Sequence, residues 1–326
     1  MLITVKPGSD AARVARELAA RGLWVRRLEG ASVHFLVESH SAQVDPASLR
    51  DVPGVADVAV AASPHPLLDA MPRTVTVRGI ALGAGAAPVL MAGPCSIESE
   101  EQIDLVASQV AAAGARLVRG GAFKPRTSPY GFQGHGHKAL QWIRRAADAH
   151  DLGVVTEAMS EGDVESVAEH ADLVQLGSRN MQNFALLRAV GRTRRPVLLK
   201  RGMAATLDEW LLAAEHLLVA GAPAVVLCER GVRGFDGATR NLLDLGAVAL
   251  LAHVHGLPVV VDPSHATGRR DLVLPLGRAA LAAGACGLLV ETHPDPGAAL
   301  SDGPQALSPQ ELIRLADATG PQRSRP

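Results

Sequence analysis

Aromatic residues are scarce in this chain, at 3% of 326 residues: five Phe, three Trp and a single Tyr. Lysine is scarcer still, since only Lys6, Lys124, Lys138 and Lys200 interrupt a basic complement otherwise made of arginine. Three cysteines, Cys95, Cys228 and Cys286, are too few and too scattered for a disulfide framework, so a reducing compartment is expected. No run approaches the roughly 18 apolar residues of a membrane span, and no basic start leads into a cleavable apolar segment. Net charge is also nearly lacking, at −1, which argues against a dedicated nucleic-acid binder. What remains is 48% hydrophobic, enough to bury a sizeable core in one large and one small domain. A soluble cytoplasmic protein is expected, with neither nucleic acid nor membrane as a partner.

Periodicity divides the chain. Leu2–Lys6 alternates as a strand, and Val14 and Leu18 mark one face of a helix within Ser9–Ala20 that Gly22 stops. Leu23–Leu28 and Ser32–Glu38 follow as strands split at Glu29-Gly30, Asp45-Pro46 opens a short helix, and Val55–Ala61 closes. The order βαββαβ predicts a small ferredoxin-like domain over residues 1–66, with Ser63–Pro66 as linker. Thr74–Leu82 reads as a strand pair around Gly79.

From Pro88 a repeat sets in, placing residues 67–326 in a second domain. Apolar runs at Pro88–Ala92, Ala115–Arg119, Gly153–Glu157, Asp172–Leu176, Pro196–Lys200, Ala224–Cys228, Pro258–Val261 and Cys286–Glu291 are each followed by a polar loop and a helical stretch. Capping boxes open three of those helices, at Ser99…Gln102, Thr206…Glu209 and Ser308…Glu311. The runs lack alternation, as parallel strands covered on both faces do. The units predict an α/β fold of the (β/α)8 TIM-barrel class; a doubly wound sheet fits less well, because no strand is followed by G-x-G-x-x-G.

Barrel chemistry sits at the C-terminal strand ends. Six cations fall there: Arg119, Lys124, Arg126, Arg179, Lys200 and Arg230. Any one could be a solvated loop charge, but six on one mouth are tolerable only if anions fill it. Guanidinium forks and ammonium groups suit phosphate and carboxylate. A second set combines Cys95, His265, Glu291 and one acid from the last loop, where His293, Asp295 and Asp302 compete. Thiolate, imidazole and carboxylate together suit one borderline divalent ion, Mn, Fe, Co or Zn. Cys228 and Cys286 lie within or at the start of strands and read as core. Phe123, Tyr130, Phe132, Phe184 and Phe235 all fall in loops at the strand ends, which suggests an aromatic contribution to the mouth, with loop packing as the plain alternative.

These segments resemble a known family. Met91-Ala92-Gly93-Pro94-Cys95-Ser96, Arg119-Gly120-Gly121-Ala122-Phe123-Lys124-Pro125-Arg126-Thr127-Ser128, Gln175-Leu176-Gly177-Ser178-Arg179-Asn180, Leu199-Lys200-Arg201-Gly202, Cys228-Glu229-Arg230-Gly231 and Val261-Asp262-Pro263-Ser264-His265 are similar, in order, to the 3-deoxy-D-arabino-heptulosonate 7-phosphate (DAHP) synthases of type I-beta. The resemblance implies condensation of phosphoenolpyruvate with D-erythrose 4-phosphate, the entry to the shikimate pathway. It implies Cys95, His265, Glu291 and Asp302 as metal ligands, and Arg119, Lys124, Arg179, Lys200 and Arg230 as phosphoenolpyruvate contacts. Arg126, Thr127 and Ser128 match the segment that holds the aldose phosphate, and Lys124 is a candidate proton donor to the new hydroxyl. Cys95 and His265 complete the catalytic set through the metal. The family also implies a homotetramer and an aromatic amino acid effector, Tyr or Phe, on the front domain. Two alternatives differ in chemistry. The sister 3-deoxy-octulosonate 8-phosphate synthases typically carry Ala-Asn where this chain has Pro125 alone, and lack the front domain. A Schiff-base aldolase would instead use Lys200.

Overall fold

The computed structural model describes residues 1–30, 32–38, 40, 42, 44–124 and 130–320. It divides into two compact units, Met1–Pro64 and His65–Pro326. The division falls two residues before the expected boundary. His65-Pro66 is not linker, because Pro66 occupies the first turn of helix Pro66–Ala70. The backbone N–H groups of Leu67 and Leu68 donate to the Glu215 carboxylate at 2.9 and 2.8 Å, which fastens that helix to the second unit.

The first unit is an antiparallel sheet of β1 (Leu2–Val5), β2 (Val25–Leu28), β3 (His34–Val37) and β4 (Val55–Ala59) in the order β2-β3-β1-β4. Helix Ala11–Ala20 starts where Asp10 accepts from the N–H groups of Ala12 and Arg13, and it buries Val14 and Leu18 as the spacing predicts. Between β3 and β4 the expected α-helix is a six-residue 3-10 helix, Pro46–Asp51. Asp45 caps it and Pro46 sits in its first turn, but only Leu49 along it is buried, so little packing extends it. Ile3, Val14, Leu18, Phe35, Leu49 and Val58 form a core separate from that of the second unit.

The second unit opens with a hairpin, β5 (Thr74–Val77) and β6 (Ile80–Gly83). Arg78 and Gly79 both have positive φ (46° and 73°), the requirement of a tight hairpin turn whose twist matches its strands. Val75, Val77, Ile80 and Leu82 join the main core beneath the barrel. The barrel strands are β7 (Val89–Gly93), β8 (Leu117–Arg119), β9 (Gly153–Glu157), β10 (Leu173–Leu176), β11 (Val197–Lys200), β12 (Val225–Glu229), β13 (Val259–Val261) and β14 (Gly287–Glu291). Each pairs in parallel with its neighbours, and β14 returns to β7 to close the ring. Nearly every strand residue is buried, which is why these runs show no alternation.

Thr206…Glu209 and Ser308…Glu311 form full capping boxes. At Ser99 only half of one exists: its hydroxyl accepts from Gln102 N–H, while the Gln102 side chain accepts from Glu98 instead of Ser99. Trp210 is fully buried in helix Leu207–Val219 and donates its indole N–H to the Leu199 carbonyl at 3.1 Å, tying that helix to β11.

Candidate active site

Tight backbone packing builds the first wall. A Cβ on Gly93 would stand 1.9 Å from the Arg119 carbonyl oxygen, so only glycine lets the ends of β7 and β8 meet. This close approach sets Cys95 beside Arg119 and Lys124. Lys124 Nζ donates to the Cys95 carbonyl at 2.8 Å and to its Sγ at 3.0 Å. A Cβ on Gly121 would reach 3.0 Å from that same Nζ, so the second glycine of Gly120-Gly121 keeps the lysine's path open. Arg119 is buried and donates to Glu291 Oε1 at 2.7 Å and to the Pro94 carbonyl at 3.0 Å.

The adjoining wall is made by β13 and β14. Asp262 caps helix Pro263–Thr267 through the His265 N–H at 2.9 Å, with Pro263 in its first turn. Its other oxygen lies 2.7 Å from His265 Nδ1 and 2.6 Å from Lys200 Nζ. Burial alone would raise the Asp262 carboxyl, but the His265 and Lys200 charges hold it well below the usual carboxylate range. One carboxylate thus fixes the imidazole and leaves His265 Nε2 facing the cleft.

Sγ of Cys95 and carboxylate oxygens of Glu291 and Asp302 lie within 4.8 Å of one another. His265 stands beside this trio: Nε2 is 3.3 Å from Glu291 Oε1 and 3.9 Å from Asp302 Oδ2. Of the three competing acids and imidazoles in the last loop, only Asp302 belongs to the trio. His293 Nδ1 is instead 2.6 Å from the Asp295 carbonyl. Burial and the Glu291 charge push the Cys95 thiol up to about 11, and Sγ–H donates to Asp302 Oδ2 at 3.1 Å. Burial would also raise Glu291 and Asp302, yet the cations around them, His265 foremost, keep both low. A sulfur and two carboxylates gathered this closely, with an imidazole edge at their margin, fit a divalent ion. Such a thiol binds the ion by giving up its proton.

A cleft of about 150 Å³ opens beside the trio. Arg119, Lys124, Arg179, Lys200 and Arg230 all line it, as the strand-end rule predicts. Arg126, Thr127 and Ser128 lie outside the described residues. Arg230 is 5% exposed, and its NH1 reaches only the Gly231 carbonyl, at 3.4 Å. Burial lowers its pKa more than the charge of nearby Asp262 raises it, and Arg240 adds to the lowering. Arg201, next in sequence to Lys200, points away from the cleft to Glu229 and Asp244, at 2.9 Å from each.

Several cleft residues escaped the sequence reading. Gln175, next to last in β10, donates to Glu157, the last residue of β9, at 2.8 Å. Arg240, exposed in the loop after β12, donates from NH1 to Gln305 Oε1 at 3.1 Å, and Gln305, which ends the 3-10 helix Gly303–Gln305, donates from Nε2 to Glu291 Oε2 at 2.5 Å. The aromatic expectation fails. Among the described residues no Phe or Tyr lines the cleft, and Tyr130 and Phe235 are 96% and 107% exposed. His135 and His137 pack with Phe132, Trp142 and Phe123, as loop residues do.

Residues 61–323 match the DAHP synthetase I family. A phospho-2-dehydro-3-deoxyheptonate aldolase of Thermotoga maritima is 51% identical over 238 residues, 71% of this chain and 70% of that protein. A 2-dehydro-3-deoxyphosphooctonate aldolase of Acidithiobacillus ferrooxidans is 32% identical over 247 residues, 69% of this chain and 87% of that one. The crystal structure of the Thermotoga maritima DAHP synthase superposes with a TM-score of 0.76 at 39% identity, covering 97% of this chain and 95% of that one. With the same barrel found across nearly the whole length, this chain belongs to the DAHP synthetase I family.

Proposed function

We propose the following division of labour for the condensation of phosphoenolpyruvate with D-erythrose 4-phosphate and water, which gives DAHP and phosphate. Arg119, Lys124, Arg179, Lys200 and Arg230 bind the phosphate and carboxylate of phosphoenolpyruvate, turning the enol ether's C3 toward the aldehyde. Arg126, Thr127 and Ser128 hold the phosphate of the aldose. Cys95, His265, Glu291 and Asp302 hold a single divalent ion, of the Mn, Fe, Co or Zn group. When bound, that ion supplies Lewis-acid polarisation of the aldehyde carbonyl. Attack by C3 forms the new carbon–carbon bond and leaves C2 electron-poor. Water adds to C2, and phosphate departs by C–O cleavage. Lys124 gives a proton to the aldehyde oxygen as it becomes a hydroxyl. The observation that carries this reading is a buried arginine, Arg230, that hydrogen-bonds no carboxylate among the described residues and lines a cleft beside the thiol–carboxylate trio.

Parallel phosphate-release assays with erythrose 4-phosphate and arabinose 5-phosphate, each with and without a chelator, test it. Turnover is expected with the four-carbon sugar, and added Mn²⁺ should restore what the chelator removes. Preference for the five-carbon sugar would instead favour the octulosonate reading suggested by the more distant relatives.

The first unit, with its own core, is proposed to seat an aromatic amino acid effector, Tyr or Phe, and the assembly to be a cytoplasmic homotetramer. No helix among the described residues is long and apolar enough to cross a membrane. Deleting residues 1–64 should leave turnover intact and remove inhibition by Tyr or Phe; inhibition that survives the deletion places the effector elsewhere.

A further inference from the structure

Three links join the loops after β7 and β14. Cys95 Sγ meets Asp302 Oδ2 at 3.1 Å. One residue further along each loop, the hydroxyls of Ser96 and Ser301 meet at 2.5 Å, both buried. Beyond them Glu98 Oε1 accepts from the Leu300 N–H at 2.8 Å. The remaining Glu98 oxygen lies 3.4 Å from Nε2 of His293, a buried nitrogen that makes no hydrogen bond. The Glu98 carbonyl faces His135 Nε2, from the loop after β8, at 2.9 Å. Glu98, itself in the loop after β7, therefore touches the loops after both β8 and β14.

Such a fastening has a physical need. Asp302 has φ of +52°, in the left-handed region that favours glycine. The loop around it is also tight, since a Cβ on Gly303 would stand 2.4 Å from the Pro296 carbonyl. A carboxylate on strained backbone keeps its direction only if its surroundings over-determine it. We infer that Glu98, acting with Ser96 and Ser301, is a positioning residue that holds Asp302 opposite Cys95 and so presets the divalent-ion site. Neither the cation cluster nor the substrate groups depend on it directly. The inference rests on Cys95 and Asp302 being ligands.

The test measures Mn²⁺ affinity of metal-stripped full-length protein by competition with a chromophoric chelator. Glu98→Ala should weaken Mn²⁺ binding about 10- to 100-fold, the usual cost of losing an outer-sphere partner. Glu98→Gln should recover most of the affinity, because its amide oxygen still accepts from Leu300. At saturating Mn²⁺ the Glu98→Ala protein should regain most of its kcat, whereas a merely structural defect would lower the melting temperature without moving metal affinity. Parental affinity in a folded Glu98→Ala protein overturns the proposal. If that variant does not fold, Ser301→Ala carries the test: weaker binding supports the clasp and parental binding overturns it. Cys95→Ala in parallel separates the two levels. If Cys95→Ala loses Mn²⁺ and Glu98→Ala does not, only the clasp fails; if Cys95→Ala also binds normally, the ligand assignment itself fails.

Discussion

Replacing Cys95 with alanine lowers kcat on the order of 10³-fold, because several kcal/mol of charge stabilisation at the aldehyde oxygen is lost with the ion. The thiol is the one soft donor of the cluster, and it sits 5% exposed between Lys124 and Asp302. Its removal also strips Lys124 of the sulfur that holds Nζ at 3.0 Å, so the proton donor loses part of its orientation. The loss should appear in kcat with both substrates saturating, and excess Mn²⁺ should not restore it. Serine at the same position should recover part of the rate, since a hydroxyl is a weaker ligand of similar reach. Steady-state phosphate release measures this, and parental turnover by Cys95→Ala would remove the thiol from the account.

The second large effect pairs a loss with a gain. Arg230→Met should raise the KM for phosphoenolpyruvate roughly 10- to 100-fold, the worth of one charge-assisted hydrogen bond. It should at the same time stabilise the barrel by about 1 kcal/mol, because a buried cation that hydrogen-bonds no carboxylate among the described residues is replaced by an apolar side chain. The guanidinium is 5% exposed, and the Asp262 charge nearby only partly offsets the cost of burying it. Substrate kinetics and urea unfolding, read together, check both signs. A variant less stable than the parent, with KM unchanged, would make Arg230 a structural residue.

Much of this architecture was readable from one sequence because the barrel imposes a rule that a chain displays openly. Strands buried on both faces become short apolar runs, and chemistry follows each run. Cys95, Arg119, Lys124, Arg179, Lys200, Arg230, His265 and Glu291 were found in that way. Asp302 was not separable from Asp295 by pattern; its place depends on a left-handed backbone held by Ser301 and Glu98. Arg240 and Gln305 carry no such signal for a related reason: Gln305 reaches Glu291, and Arg240 reaches Gln305, from segments that no periodicity marks. Aromatic placement misled because a loop near a strand end has two sides. Tyr130 and Phe235 lie on the solvent side, whereas Phe123 packs on the barrel core. The second helix of the first unit is a short 3-10 helix because Leu49 is the one residue buried along it.

Anomalous diffraction from crystals of the full-length protein soaked in Mn²⁺ tests the central claim most directly. One peak is expected within about 2.0–2.5 Å of Cys95 Sγ, His265 Nε2 and carboxylate oxygens of Glu291 and Asp302. A peak at another site, or none in crystals whose protein turns over with Mn²⁺, would contradict it.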